Sequence, residues 1–298
     1  MKIIALIVAV LLALPALAAE RVVLDALERK TTVPATPMRV LAMSELDLDA
    51  LLALGIKPVG ATRGRGQQSM PRYLGKEAAA ITSVGNFASP VPDLAIALQP
   101  DLILAGGVPD PELLARLSKI APTVVSYRPG ENWQNALRRI GAVVGRSTRA
   151  EAVLADYRQR VAALQVHLQS RQGASVSVVR WNPQGPAYML RESFASLVLA
   201  DLKLRRPASQ QQSGAAHSPP LSMEALSMID ADWLFVGTLD GTADHALSAA
   251  AASPAFRRLN AVRQGQMRAV DGSLWTGPGG PLAAKALLDD VENAMLPR

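Results

Sequence analysis

Cysteine is absent from all 298 residues, and histidine occurs only 3 times. Without cysteine, disulfides, catalytic thiols and thiolate metal sites are excluded together. Three histidines without a carboxylate at motif spacing, and no Gly-x-Ser-x-Gly or His-Glu-x-x-His, leave the common hydrolase and metalloprotease chemistries without a carrier. A bare zinc or manganese ion would want several His, Asp or Glu ligands, which the sequence does not cluster. Aromatic residues are also scarce, with four each of Trp, Tyr and Phe. No basic run alternates with them, so a stacking surface for single-stranded nucleic acid has no basis. No Ser/Gly-rich stretch separates two halves, which argues against lobes swinging on a flexible linker. An exported hydrolase stays as the rival class, to be separated by turnover assays.

What is present is a soluble-protein composition, 49% hydrophobic and 19% charged, with room for two small domains or one large one. The formal net charge is +6, or +5 once Lys2 is removed with a leader, and this surplus favours an anionic small ligand. Residues 1–18 read as a cleaved signal peptide: Lys2, an apolar stretch from Ile3 to Leu14, then Ala16-Leu17-Ala18 before the cut. The apolar stretch falls short of the roughly 20 residues that span a bilayer. No cysteine follows the cut, so a lipid anchor there is excluded and the mature chain is expected to be soluble and exported.

One pattern occurs twice. Ala97-Leu98-Gln99-Pro100-Asp101-Leu102-Ile103-Leu104 ends at Gly106, and Ile229-Asp230-Ala231-Asp232-Trp233-Leu234-Phe235-Val236 ends at Gly237. Each is a short helix, an acidic turn and an apolar run closed by glycine, the pattern of a strand buried on both faces of a parallel sheet. Two such units predict two α/β lobes with a ligand cleft between them. The first lobe is expected over residues 39–144 after an extended leader at 19–38, with Ser44 and Gly55 bounding its first helix. A Gly- and Pro-free run from Thr148 to Arg171 predicts a helix of about 35 Å, a rigid strut within a connecting segment at 145–172. The second lobe then runs over 173–298.

The ordered series Arg39-Val40-Leu41, Leu51 to Gly60, Val84-Gly85, Ala97 to Leu104, Ala121-Pro122-Thr123-Val124, Asn135 to Gly141, Ser193 to Leu199, Arg206-Pro207 and Trp275 to Pro281 resembles the periplasmic binding proteins of bacterial iron-siderophore importers. Ferric-citrate and ferric-hydroxamate binding proteins are members that it resembles. The resemblance implies two Rossmann-like lobes with central, mainly parallel sheets joined by one long helix, the class III arrangement. It further implies a ferric siderophore as ligand, no cofactor, no enzyme activity, a monomer in the periplasm, and delivery to an inner-membrane ABC permease driven by a cytoplasmic ATPase. Haem and cobalamin importers share the fold. The haem-binder signature is not matched, since Pro92-Asp93-Leu94-Ala95-Ile96-Ala97-Leu98 stands in its place. Glu112, after the first repeated strand, and Glu224, in Leu221-Ser222-Met223-Glu224, stand where the family places its permease-docking glutamates; both equally suit helix starts.

Loops at the carboxyl ends of strands must build the site. Arg63 and Arg65, Arg128, and Arg180 follow predicted strands, and an arginine fork can grip carboxylate or catecholate oxygens in pairs. Tyr188 and Arg191 add a candidate pair from the second lobe. His217 lies in a loop that borders the cleft in the family and coordinates iron in some members; a solvated loop histidine is the competing reading. Trp275 serves equally as an aromatic cleft wall or as a core side chain.

Overall fold

The computed structural model describes residues 19–108 and 110–296; the expected signal peptide lies outside them. Within the expected extended leader at 19–38 the chain forms an antiparallel hairpin, β1 (Glu20–Leu24) and β2 (Lys30–Pro34). Asp25 makes this turn specific, its carboxylate accepting from the backbone of Leu27 at 2.8 Å and Arg29 at 2.9 Å.

The first lobe carries β3 (Val40–Ala42), β4 (Gly60–Arg63), β5 (Ser83–Asn86), β6 (Ser89–Pro90), β7 (Leu102–Leu104) and β8 (Thr123–Val124), ordered β6-β5-β4-β3-β7-β8. Only the β5–β6 pair is antiparallel. The second lobe carries β9 (Val176–Asn182), β10 (Gly185–Tyr188), β11 (Trp233–Thr238) and β12 (Met267–Asp271), ordered β10-β9-β11-β12, with only β10 antiparallel. Short, wholly apolar strands fit here because helices cover both faces.

The repeated pattern has a structural meaning in both lobes. Asp101 precedes β7 and accepts from the backbone of Met38 at 2.7 Å and Arg39 at 2.9 Å, pinning the start of β3. Asp232 precedes β11 and accepts from the backbone of Ser175 at 2.8 Å, just ahead of β9. In each lobe the pinned strand is the one that the repeat pairs with. The acidic turn is a register device: it satisfies backbone donors at the sheet's entry edge.

The strut is a helix over Ser147–His167 followed by a single tight turn at Gln169–Arg171. A second crossing accompanies it. The final helix, Pro281–Met295, belongs by sequence to the second lobe, yet it packs against the first lobe's helix Glu45–Ala53 as well as the strut. As a result one hydrophobic core runs through both lobes, taking in Val40, Leu48 and Leu51 from the first and Val176, Phe235 and Leu287 from the second. The last part of the expected second lobe, 173–298, thus also packs on the first. Among the described residues no helix is long and apolar enough to cross a membrane.

Candidate functional site

The helix Glu45–Ala53 starts where β3 ends. Ser44 caps it, its Oγ accepting from Asp47 N at 3.1 Å, and Gly55 leaves it at φ +76°. Its first residues read Glu-Leu-Asp-Leu-Asp, and all three acids are buried. Buried carboxylates demand partners, and each of these finds a different one. Glu45 accepts from Arg65, through the backbone at 2.6 Å and through Nη1 at 2.9 Å. Asp47 accepts from the hydroxyls of Ser44 and Ser126 and from Gly106 N, tying together the carboxyl ends of β3, β7 and β8. Asp49 reaches the final helix. Burial pushes both Asp47 and Asp49 up to about 6.

Above this helix, between the carboxyl ends of both sheets, lies a cavity of about 380 Å³. Its first-lobe wall comes from Leu46, Arg65, Phe87 and the segment Tyr127–Glu131 with Trp133; its second-lobe wall comes from Arg180, Glu192, Phe194, Ala215–His217 and Thr276–Gly279. The lobes approach each other at both edges. At one, a Cβ on Gly130 would sit 3.5 Å from Ala215 Cβ; at the other, Arg72 Nη2 donates to Asp271 at 2.8 Å and to Thr238 O at 3.0 Å.

Three guanidinium groups converge on this space, each held differently. Arg65 is clamped by Glu45, and its Cζ lies 3.5 Å from the Phe87 ring centroid, so this cation is largely spoken for. Arg180 donates through Nε to Thr276 Oγ1 at 3.0 Å and through Nη2 to Thr276 O, with no carboxylate partner among the described residues. Burial holds its guanidinium down to about 10, so it stays charged at neutral pH in an environment that disfavours the charge. Arg128 is exposed at the mouth, and its guanidinium has no hydrogen-bond or ion-pair partner among the described residues. The lining acids are already engaged: Glu131 by Arg139 at 2.7 Å, and Glu192 by Arg191 and Gly214 N. Arg128 and Arg180 therefore leave unneutralised positive charge facing the cavity.

The aromatic part of the wall is Phe87, Tyr127, Trp133 and Phe194. Sequence reasoning placed none of them at the site: Phe87 and Tyr127 follow strand ends and Trp133 and Phe194 open helices, positions where side-chain direction has no periodicity to read. Tyr127 left one signal: Gly106-Gly107 at the end of the neighbouring strand. A Cβ on Gly106 would overlap the Tyr127 ring, and one on Gly107 would lie 2.8 Å from its hydroxyl. Burial pushes this phenol up to about 12, and its hydroxyl is buried without a hydrogen-bond partner among the described residues. His217 lines the opposite wall. Its Nδ1 lies 2.8 Å from Ser218 O, and since a carbonyl only accepts, Nδ1 is the donor there and Nε2 is the other ring nitrogen.

Charged forks and an aromatic wall describe a place to hold an anion. The sequence matches the periplasmic binding protein family over residues 39–274, most of the chain. The chain belongs to that family. This periplasmic binding protein is 31% identical over 287 residues to the probable siderophore-binding lipoprotein YfiY of Bacillus subtilis, covering 93% of this chain and 88% of that one. It is 28% identical to the achromobactin-binding periplasmic protein of Dickeya dadantii, covering 86% and 85% of the two chains. Among solved structures, SirA of Staphylococcus aureus in complex with staphyloferrin B superposes with a TM-score of 0.80 at 25% identity, over 92% of this chain and 98% of that one. The fold is the class III arrangement of two lobes with mainly parallel sheets, and the protein is a binding protein rather than an enzyme.

Of the residues singled out from sequence, this binding protein brings Arg65, Arg128, Arg180 and His217 to one cavity. Four others lie elsewhere. Arg63 closes β4, and its Nη1 turns to Gln68 O at 3.5 Å, away from the cleft. Tyr188 is 3% exposed and packs in the second lobe's separate core with Trp181, on the sheet face away from the cleft. Arg191 is exposed and serves the wall only by pairing with Glu192 at 2.7 Å. Trp275 is a core residue: it is fully buried, stacks on Phe235 with centroids 4.4 Å apart, and donates to Asp290 at 2.8 Å. Glu112 and Glu224 are both exposed, but their settings differ. Glu112 starts the helix Pro111–Leu117 after β7, whereas Glu224 sits in the tight turn Met223–Ile229 before β11. Among the described residues no group of three His, Asp or Glu side chains is placed to share a metal ion.

Proposed function

We propose that this protein is the substrate-binding component of an ABC importer and carries a ferric siderophore, an anionic iron(III) chelate, in the interlobe cleft. The observation that carries this reading is the pair Arg128 and Arg180: two guanidiniums from opposite lobes, without carboxylate partners, facing one aromatic-walled cavity. A chelate with outward carboxylate or catecholate oxygens would exchange water for these forks, and the low dielectric behind Arg180 strengthens the attraction. The names of the relatives support the same class, since they bind a siderophore, achromobactin or staphyloferrin B. His217 offers Nε2 to iron where a chelate leaves a coordination position open; otherwise it is a polar wall residue. Residues 1–18 would direct export to the periplasm, and Glu112 and Glu224 would dock on cations of the membrane permease.

Trp133 makes the test direct: although its ring is largely buried, it borders the cavity, whereas Trp181, Trp233 and Trp275 do not. Ferric citrate, ferric staphyloferrin B, ferric achromobactin, a ferric hydroxamate, a ferric catecholate, haem and cobalamin are titrated against tryptophan emission. Saturable quenching by one ferric siderophore supports the proposal. Preference for haem or cobalamin, or binding of none, sinks it.

A further inference from the structure

The Asp49 carboxylate sits at a junction that the cleft residues alone do not explain. It is carried by the first lobe, on the helix Glu45–Ala53. Its partners are in the last part of the chain: Oδ2 accepts from Gly280 N at 3.2 Å and Ala283 N at 2.9 Å, and Oδ1 accepts from Leu282 N at 2.8 Å. The first turn of the final helix thus receives its N-terminal acceptors from a residue more than 230 positions away, and Gly280, its N-cap, has no side chain to supply them. Tyr73, also of the first lobe, steadies the carboxylate through its hydroxyl at 3.0 Å.

Gly280 follows directly on the cleft wall Thr276–Gly279. Thr276 in turn holds Arg180 through both its hydroxyl and its carbonyl. The glycines of Gly277-Pro278-Gly279-Gly280 fit this reading. A Cβ on Gly280 would come within 2.6 Å of Asp49 Oδ1, and one on Gly279 within 2.6 Å of the Phe194 ring. This glycine-rich run is thus a site of close approach, with the Asp49 carboxylate seated against its backbone. We propose that Asp49 is a positioning residue: from the first lobe it fixes the second lobe's wall segment 276–280 and, through Thr276, sets where the Arg180 guanidinium meets the ligand. The Arg180 half of the claim rests on the cleft being the binding site; the wall half does not.

Two variants of the full mature chain, Asp49→Ala and Gly280→Ala, test it. The second keeps the carboxylate and drives it from its seat with one methyl group. Amide hydrogen exchange without ligand should speed up by about tenfold or more over residues 276–284, while β9 and β11 keep their protection. Unchanged exchange at 276–284, or equal acceleration throughout the second sheet, overturns the proposal. With ferric citrate as probe, Arg180→Met, Asp49→Ala and the double variant should lose affinity to the same extent, because the acid acts through the arginine. Additive losses overturn the Arg180 half. If Asp49→Ala does not fold, Gly280→Ala carries both readouts. If wild-type protein does not bind ferric citrate, that counts against this probe as ligand, and the exchange result still decides the positioning claim.

Discussion

Replacing Arg180 by methionine should move stability and binding in opposite directions. The guanidinium is largely buried between the lobes without a carboxylate partner, and burial pulls it from the usual arginine range to about 10. That displacement amounts to about 3 kcal/mol of free energy by which the folded, ligand-free protein disfavours the charge at neutral pH. Against it stand two hydrogen bonds to Thr276, worth about 1 kcal/mol each. Methionine fills similar volume and removes both effects, so the ligand-free variant should gain about 1 kcal/mol, a rise in Tm of about 2–4 °C for a chain of this size. Binding an anionic chelate should suffer, because a charge-assisted fork in a dry site contributes about 1.5–3 kcal/mol, or roughly 10- to 150-fold in Kd. Differential scanning fluorimetry with and without ligand reads both quantities in one experiment. A variant that melts lower without ligand yet binds equally well would refute the reasoning: Arg180 would then be a structural cation and the cleft's charge would lie elsewhere.

Asp47 and Asp49, raised from 3.8 to about 6 by burial, favour the folded state most when protonated; their contribution is full below about pH 4 and fades as pH rises through 6. The sign is opposite to that of an ordinary paired carboxylate, so denaturant unfolding of Asp47→Asn between pH 4 and 7 should show a flatter profile than wild type. Gly106→Ala should destabilise by about 1–3 kcal/mol, measured by urea unfolding, because the new methyl meets the Tyr127 ring, and Tyr127→Ala in the same chain should relieve part of that cost. Glu112→Ala and Glu224→Ala should leave chelate affinity unchanged while lowering uptake through reconstituted permease; a loss of affinity in either would contradict surface docking.

Much of the fold was legible because buried parallel strands announce themselves as short apolar runs, and Asp101 and Asp232 repeat a job that recurs in each lobe. The cleft cations were legible for a related reason: Arg180 lies in the carboxyl-terminal half of β9 and Arg128 in the segment that follows β8, and the carboxyl ends of strands face the crevice. What escaped depends on contacts between distant segments. Nothing near Pro281 says that its helix takes its N-terminal acceptors from Asp49, and nothing near Trp275 distinguishes a cleft wall from a stack on Phe235. Tyr188 and Arg63 misled because alternation along a strand fixes a face only once the register is known. The run Glu45-Leu46-Asp47-Leu48-Asp49 was expected to open a helix, but nothing in it says that all three acids are buried. It is a buried helix whose acids are consumed by the fold.

The course of the final helix also bears on when the molecule can assemble during synthesis. Chains leave the ribosome amino end first, at about 5–20 residues per second, and N-terminal units commonly fold while the rest is being made. Here the helix Glu45–Ala53 leaves Asp49 with Tyr73 alone among the described first-lobe side chains, and part of its surface bare, until Gly280 to Ala283 arrive, so its packing closes only after the strands of both lobes have been made.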